Sequence, residues 1–451
     1  MSDFKKYLTP KNYLDYLQIQ KQLRVQQSFK YQQWNSPDKI IFDQKKQLYK
    51  TLDYAIREIP YYSGISTKIN FHFTQETIFQ DLLRFPVLTK QIIRNFQRDL
   101  VNPDYLNSSQ KQTSGGTTGE PVIVFQSKSF IEKCNQVHKM HLEWAGYRNG
   151  CKYLQIWGDE REIIDKKRKS DGIIKISDKH YILNSFKMSP LTIARYISFI
   201  NNYKPDIIFS YVQSIYEICQ FAKINKTFIY SPKGILTSAG TLYSEQRSLI
   251  EKVFTSPVFN KYGSREMNAM ACECEMHSGL HLDTMLHYIE LLDEDQKPVT
   301  RENQTGELYV TTLENPVMPL IRYQIGDRAT YTSRQCLCKR GFPLIKNIKG
   351  RVVDIFINNI GEKIDGEYFT HLFYYSKTIK KFQLIQNRIN NVIVNYETLE
   401  NYQKSVLHRE LSEIRKHITL VMGKKCRIGF RRLKHIRSLK SGKYRYTICR
   451  L

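Results

Sequence analysis

Residues 206–266 read DIIFSYVQSIYEICQFAKINKTFIYSPKGILTSAGTLYSEQRSLIEKVFTSPVFNKYGSRE. Three short apolar runs, 206–210, 234–238 and 257–264, alternate with two longer amphipathic segments, VQSIYEICQFAKI and SEQRSLIEKVF. The runs have the length of buried strands and the segments that of helices, the second capped by Ser244. Strands alternating with helices build βαβ units and a parallel sheet. In such sheets ligands bind outside the carboxyl ends of the strands. Two polar turns occupy that edge, Ser238-Ala239-Gly240-Thr241 and Tyr262-Gly263-Ser264-Arg265-Glu266.

Upstream, residues 112–122 read QTSGGTTGEPV and lead into the apolar run Val122-Ile123-Val124-Phe125. The stretch is small, rich in hydroxyls and uncharged, which suits backbone N–H groups turned toward an anion. It equally suits a plain turn. It is not a Walker loop, because Gly119 is followed by Glu120-Pro121 rather than Lys-Ser/Thr, and no dinucleotide fingerprint opens a helix. A phosphate loop without its lysine must draw cations from elsewhere. Helical patterns are expected over 11–34, 43–58 and 128–145, and within 85–100 after a Thr89 cap. From 286 the texture changes to strands and turns. After Gly350-Arg351 a small separate unit is expected, with a charged helix near 401–418 and the strand CRIGFRRL. The domains are therefore drawn at 1–350, helical over its first hundred or so residues, and 351–451.

A chain of 451 residues has ample core for two or more domains. Its net charge of +26 invites a nucleic-acid reading. The excess is spread along the chain, although 424–450 carries eleven Lys and Arg without an acid, and no stacking or base-reading motif accompanies it. Nucleic acid is therefore not expected as a partner. Neither a signal-like stretch near Met1 nor a run of about 18 apolar residues occurs, so a cytoplasmic protein without a transmembrane segment is expected. Of nine cysteines, five are scattered, and four form two C-x-C pairs, Cys272/Cys274 and Cys336/Cys338. CECEMHSGLH adds His277, three residues after Cys274. Thiolates and imidazole make a tetrahedral zinc set, and four protein ligands make a closed, structural site. The spacing is no standard finger pattern, and Cys272 or His281 could replace one of the four.

Taken in order, TSGGTTGEP, TSAGT, YGSRE, TGELYVTT, PLIRYQIGD, GR at 350–351 and SGK at 441–443 form a series. The series resembles the adenylate-forming (AMP-binding) superfamily, closest to its phenylacetate–coenzyme A ligase-like and CapK-like branch. IPYYSG, FPVLTK and MPLIRYQIGD extend the likeness over nearly the whole chain. The resemblance implies an α/β fold: a large N-terminal adenylate-forming domain of parallel sheets and helices, and a small mobile α+β C-terminal domain. It implies that Ser114, Gly115, Gly116, Thr117, Thr118 and Gly119 hold the triphosphate of ATP, with Ser238, Ala239 and Gly240 lining the adenine. Tyr262 and Gly263 would lie by the adenine ring, Ser264 would reach the α-phosphate, and Glu266 would hold Mg²⁺. Asp327 would accept the ribose hydroxyls with help from Arg351, and Lys443 would be the catalytic cation. Members of the branch with a zinc site at matching positions point to Cys274, His277, Cys336 and Cys338.

The implied reaction joins a small carboxylic acid to AMP, releasing pyrophosphate, and passes the acyl group to coenzyme A or another thiol or amine. Thr117, Thr118, Glu266 and Lys443 carry the chemistry in this reading. The hinge after Gly-Arg departs from the branch, with Val352-Val353 before Asp354, so acyl transfer is less firmly implied than adenylation. Two rival readings remain: AMP transfer that leaves the nucleotide on an acceptor, and a non-catalytic protein that binds a basic-surface partner such as RNA or a membrane. The acid is expected between Trp157-Gly158, the 210–216 stretch (Ser210, Tyr211, Ser214) and the YGSRE turn. Neither the acid nor the oligomeric state is legible.

Overall fold

The computed structural model describes residues 30–69, 71–113, 122–158, 172–349, 355–373, 376–399, 401–436 and 447–451. Most of the expected helix 11–34 lies outside them. The helix Pro37–Glu58 starts earlier than expected because Ser36 caps it, Oγ accepting from Lys39 N at 3.3 Å, with Pro37 in the first turn. It buries Ile40, Gln44, Leu48, Thr51, Leu52 and Ala55, one face at three- and four-residue steps. Thr89 caps as expected, accepting from Ile92 N at 3.2 Å, but the helix runs only Lys90–Asn95.

Strands β1 (Ser109–Thr113) and β2 (Ile123–Ser127) pair antiparallel, and Thr113 opposite Ile123 closes the base of the 114–121 loop. Ser127 then caps the helix Lys128–Trp144. The three parallel strands predicted from the sequence are present as β7 (Ile207–Tyr211), β8 (Gly234–Ser238) and β9 (Val258–Ser264), and β3 (Tyr153–Trp157) and β5 (His180–Asn184), not read from the sequence, extend them in the order β5-β3-β7-β8-β9. β4 (Ile173–Ser177) flanks β5 antiparallel, and β6 (Lys187–Met188) leaves the sheet. Helices Pro190–Tyr203, Val212–Ile224 and Ser244–Phe254 cross between strands. Ser244 is the first helical residue of the last of these rather than its cap; the Gln246 side chain accepts from Tyr243 N at 3.2 Å instead.

Beyond β9 the sheet continues antiparallel through β10 (Asn268–Glu273), β11 (Leu280–Leu282), β15 (Leu344–Lys349), β14 (Tyr323–Tyr331), β13 (Thr305–Thr312) and β12 (His287–Leu292), giving twelve strands in one order. β9 belongs to both halves. Val258, Phe259 and Asn260 pair with β8, whereas Lys261, Tyr262, Gly263 and Ser264 pair with β10.

The C-terminal part is a four-stranded sheet, β20-β19-β18-β21, made of β18 (Ile379–Arg388), β19 (Asn391–Thr398), β20 (Arg427–Arg432) and β21 (Thr447–Cys449). The helix Lys404–Met422 packs beside it. β16 (Ile355–Ile357) and β17 (Lys363–Asp365) join the two parts, because β17 pairs with β6. Phe186 and Tyr211 are buried in the C-terminal core with Phe356 and Tyr368. Among the described residues no helix is long and apolar enough to cross a membrane.

Candidate active site and metal centre

The carboxyl-end turns of β8 and β9 lie where a parallel sheet places its ligands. Ser238 is buried at the end of β8, and Ala239 adopts a left-handed φ of 59°, which turns the chain sharply before Gly240. At Gly263 a Cβ would stand 2.2 Å from the backbone oxygen of Asn268, so no larger residue fits between β9 and β10. Ser264 Oγ accepts from Met267 N at 3.1 Å and shapes the turn that presents Glu266.

β14 meets this turn through two residues, Tyr323 and Asp327. Tyr323 donates to Glu266 Oε1 at 3.1 Å, and Asp327 accepts from the Tyr262 hydroxyl at 2.8 Å. Glu266 and Asp327 are both buried carboxylates. Tyr262, Glu266 and Asp327, expected together, do converge. Ser114, Gly115, Gly116, Thr117, Thr118, Gly119, Arg351 and Lys443 lie outside the described residues. The strand that follows residues 114–121 is tied to the turn by Gln126 of β2, which donates to Glu266 O at 2.8 Å and accepts from Asn268 Nδ2 at 3.2 Å. Sequence reasoning missed Gln126, since a lone glutamine announces nothing. Tyr323 stood inside a quoted motif but was given no role.

The motifs that carry no chemistry form a buckle behind β14. Tyr62 donates to Pro319 O at 2.8 Å and accepts from Ile321 N at 3.2 Å. Leu88 exchanges backbone bonds with Arg322 O and Gln324 N, at 3.1 and 3.0 Å. Arg322, buried with a left-handed φ of 49°, pairs with Glu290 at 3.1 Å and donates to the backbone oxygens of Phe85 and Leu83. These contacts hold the strand that carries Tyr323 and Asp327.

On β7 the residues named for the acid, Ser210 and Tyr211, lie on opposite faces of the strand. Alternation points Phe209 and Tyr211 toward the Lys128–Trp144 side, and Trp157 stacks on Phe209 at 4.7 Å and contacts Tyr211 at 4.0 Å. Ser210 and Ser214 are both buried, Ser210 donating to Tyr211 O.

Cys274, His281, Cys336 and Cys338 bring one ligand atom each within 4.8 Å of all the others. His281, not His277, is the fourth member. The β10–β11 hairpin sets Cys272 opposite His281 and swings that imidazole to the sulfurs. His277 is instead held outside the cluster by Glu273 at 3.3 Å, where Arg247 also pairs with the same carboxylate at 2.7 Å. Cys272 is buried nearby but is not a member of the cluster. Cys274 and Cys336 sulfurs are 3.5 Å apart, and Cys338 Sγ is 3.4 Å from His281 Nε2.

The donor set fits a zinc ion. Phe342 O can only accept, so the 3.3 Å contact assigns the proton to His281 Nδ1 and leaves the Nε2 lone pair facing the sulfurs. Burial pulls His281 down to about 4, keeping it neutral. Backbone N–H groups of Met276 and Arg340 point at Cys274 and Cys338 sulfurs, at 3.5 and 3.4 Å. Burial alone would raise the Cys338 thiol, but the Arg340 backbone and guanidinium and the adjacent thiols outweigh it and bring it below its usual value. Arg340 stands 4.8 Å from both the Trp34 and Trp144 rings.

The α/β architecture is similar to that of a solved acyl-CoA ligase, so the fold implied by the sequence resemblance is present. Residues 356–450 match the family described as the CapK C-terminal domain. The chain is 22% identical to Protein CapK of Staphylococcus aureus over 414 residues, 90% of this chain and 89% of that protein. It is 24% identical to a phenylacetate-coenzyme A ligase of Thermus thermophilus over 326 residues, 70% of this chain and 71% of the relative. A 2-hydroxyisobutyryl-CoA ligase crystallised with 2-HIB-AMP and CoA superposes with a TM-score of 0.59 at 16% identity, over 90% of this chain and 89% of that one.

Proposed function

We propose that the protein is an ATP-dependent ligase that activates a small carboxylic acid as its acyl-adenylate and passes the acyl group to coenzyme A or a comparable nucleophile. The observation that carries this reading is the pair of contacts Tyr262–Asp327 and Tyr323–Glu266, which set a ring, a ribose acceptor and a second carboxylate around one turn. Tyr262 would lie against adenine beside Ser238, Ala239 and Gly240, and Asp327 would accept both ribose hydroxyls with Arg351. Residues 114–119, Thr117 and Thr118 foremost, would hold the phosphates, just before the strand that Gln126 ties to the turn. Ser264 would reach the α-phosphate. Glu266 would hold Mg²⁺, which neutralises phosphate charge when bound. The acid's carboxylate oxygen attacks the α-phosphorus, and the bond to the β-phosphate bridging oxygen breaks, its electrons leaving with pyrophosphate. The chain's share is positioning and charge, with Lys443 as the candidate cation.

The domain division near 350 belongs to the same reading. Cys274, His281, Cys336 and Cys338 would hold a structural zinc, since four protein ligands leave no open position. Support comes from curated relatives named as phenylacetate-coenzyme A ligases and from neighbours crystallised with acyl-AMP and CoA. Acid-dependent exchange of labelled pyrophosphate into ATP tests it. Exchange that never depends on an added acid, across aliphatic and aromatic acids with one or two carboxyl groups, would sink it. AMP found covalently on a product would transfer the reading to nucleotidyl transfer.

A further inference from the structure

A basic cluster lies between the helix Lys128–Trp144 and the sheet, and the chemistry above does not use it. Lys261 precedes Tyr262 on β9, so strand alternation sends it to the opposite face, the one shared with Phe259 and Phe209. Its ammonium is 5.0 Å from the Phe209 ring centroid. Phe209 is stacked by Trp157 at 4.7 Å and contacted by His138 at 5.0 Å. The residue is half-buried. His138 and His141 of the helix are charge neighbours of Lys261, and Nδ1 of each is buried without a hydrogen-bond partner among the described residues.

No hydrogen bond or ion pair satisfies Lys261 among the described residues. The titratable groups acting on it are two thiols, Cys134 and Cys272, and the two imidazoles, with no carboxylate. Burial brings the lysine down to about 8 and both imidazoles well below their usual value, so at neutral pH the cluster is one ammonium flanked by neutral rings. Burial pushes up the Cys134 thiol, which supplies no counter-charge. A half-buried ammonium with no counter-charge, beside two buried imidazole nitrogens without partners, marks a place that an anionic partner fits. The position also suits a ligand, because Trp157, Phe209 and Tyr262 adjoin the carboxyl-end turns.

We propose that this cluster is the far end of the acyl pocket, and that the acid substrate carries a second anionic group that pairs with Lys261 while its body lies along Trp157 and Phe209. The inference rests on the adenylating reading. The class it names is a dicarboxylic acid, or an acid with an equivalent terminal anion. One carboxylate reacts at the α-phosphate and the other meets the ammonium, with Nδ1 of His138 and His141 free to donate hydrogen bonds.

The test is pyrophosphate exchange by the full-length protein with matched acids, hexanoate against adipate and phenylacetate against 4-carboxyphenylacetate. Wild type, Lys261→Met and Lys261→Arg are compared. Wild type should prefer the diacid of a pair about tenfold or more, as expected for a charged hydrogen bond. Lys261→Met should abolish that preference through the KM for the acid, leaving the KM for ATP unchanged, and Lys261→Arg should retain most of it. Thermal melting confirms that both variants are folded. Exchange that proceeds with no diacid preference, or with a preference unmoved by Lys261→Met, overturns this pocket and leaves adenylation standing. No exchange with any of the four acids counts against adenylation itself, and the pocket assignment falls with it.

Discussion

Tyr262 and Asp327 are 65 positions apart in the chain and share a 2.8 Å hydrogen bond. A bond to an ionised acceptor is worth roughly 1.5–3 kcal/mol. Tyr262→Phe keeps the ring and removes the bond, so the melting temperature should fall and the KM for ATP should rise about tenfold as Asp327 loses its fixed position, as melting and exchange kinetics will read. Gly263→Ala acts differently, because its methyl would sit 2.2 Å from a backbone oxygen. Overpacking of this kind costs about 1–3 kcal/mol, and a calorimetric melt should fall accordingly. Lys261 makes a pH-dependent statement. Its folded pKa lies near 8 and its unfolded value near 10.5, so the unfolded chain binds more protons between them and native stability rises with pH there. Lys261→Met should therefore melt above wild type at pH 7, and the gap should narrow as pH climbs from 8 toward 10. At this scale, residues whose type carries chemistry were legible in the sequence: Tyr262, Glu266 and Asp327 stood in their turns. Gln126 was not, because its role is purely geometric. His277 was preferred over His281 since it is nearer to Cys274 along the chain, but across the β10–β11 hairpin, register decides proximity.

Among elements, that hairpin and the 336–342 loop together define the metal centre, and its two candidate histidines separate cleanly. His281→Ala should lower bound zinc, measured by elemental analysis, and lower the melting temperature. His277→Ala should leave zinc content unchanged, because it removes only a contact to Glu273. Equal zinc loss in both variants would contradict the assignment. Binding should also weaken with acidity, since burial raises the Cys274 and Cys336 thiols and metal must displace their protons. The parallel strands β7, β8 and β9 were legible from their apolar runs and intervening helices. Their antiparallel continuation was seen only as a change of texture, since β10 to β15 have no helices between them to mark the connections. The dual pairing of β9 had no local signal, because nothing within VFNKYGS says which neighbour each residue meets. The buckle of Tyr62, Leu88 and Arg322 explains why apolar stretches recur beside chemical motifs: they fix the strand bearing Asp327.

For the whole molecule, the joint between the large and small parts is slight in sequence and specific in space. β6 contributes two residues, and Phe186 inserts beside Tyr368 at 5.8 Å. Strands of two or three residues have no periodicity to read, so the docking through β6 and β17 was not legible. Phe186 also lies where Gly158 leaves room, since a Cβ there would come within 1.9 Å of its ring. Phe186→Ala should empty that space, cost about 3–5 kcal/mol and speed limited proteolysis between the parts, with the fragments read by mass spectrometry.

The placement of the tryptophans makes the protein its own reporter. The chain has three: Trp34 and Trp144 flank Arg340 beside the cysteine cluster, and Trp157 stacks on Phe209 in the region proposed for the acyl group. Intrinsic emission therefore divides between the two centres and leaves the rest of the fold dark. Chelation should perturb the first pair and an added acid the third, so a Trp157→Phe variant would separate the optical signature of metal loss from that of ligand entry without any label.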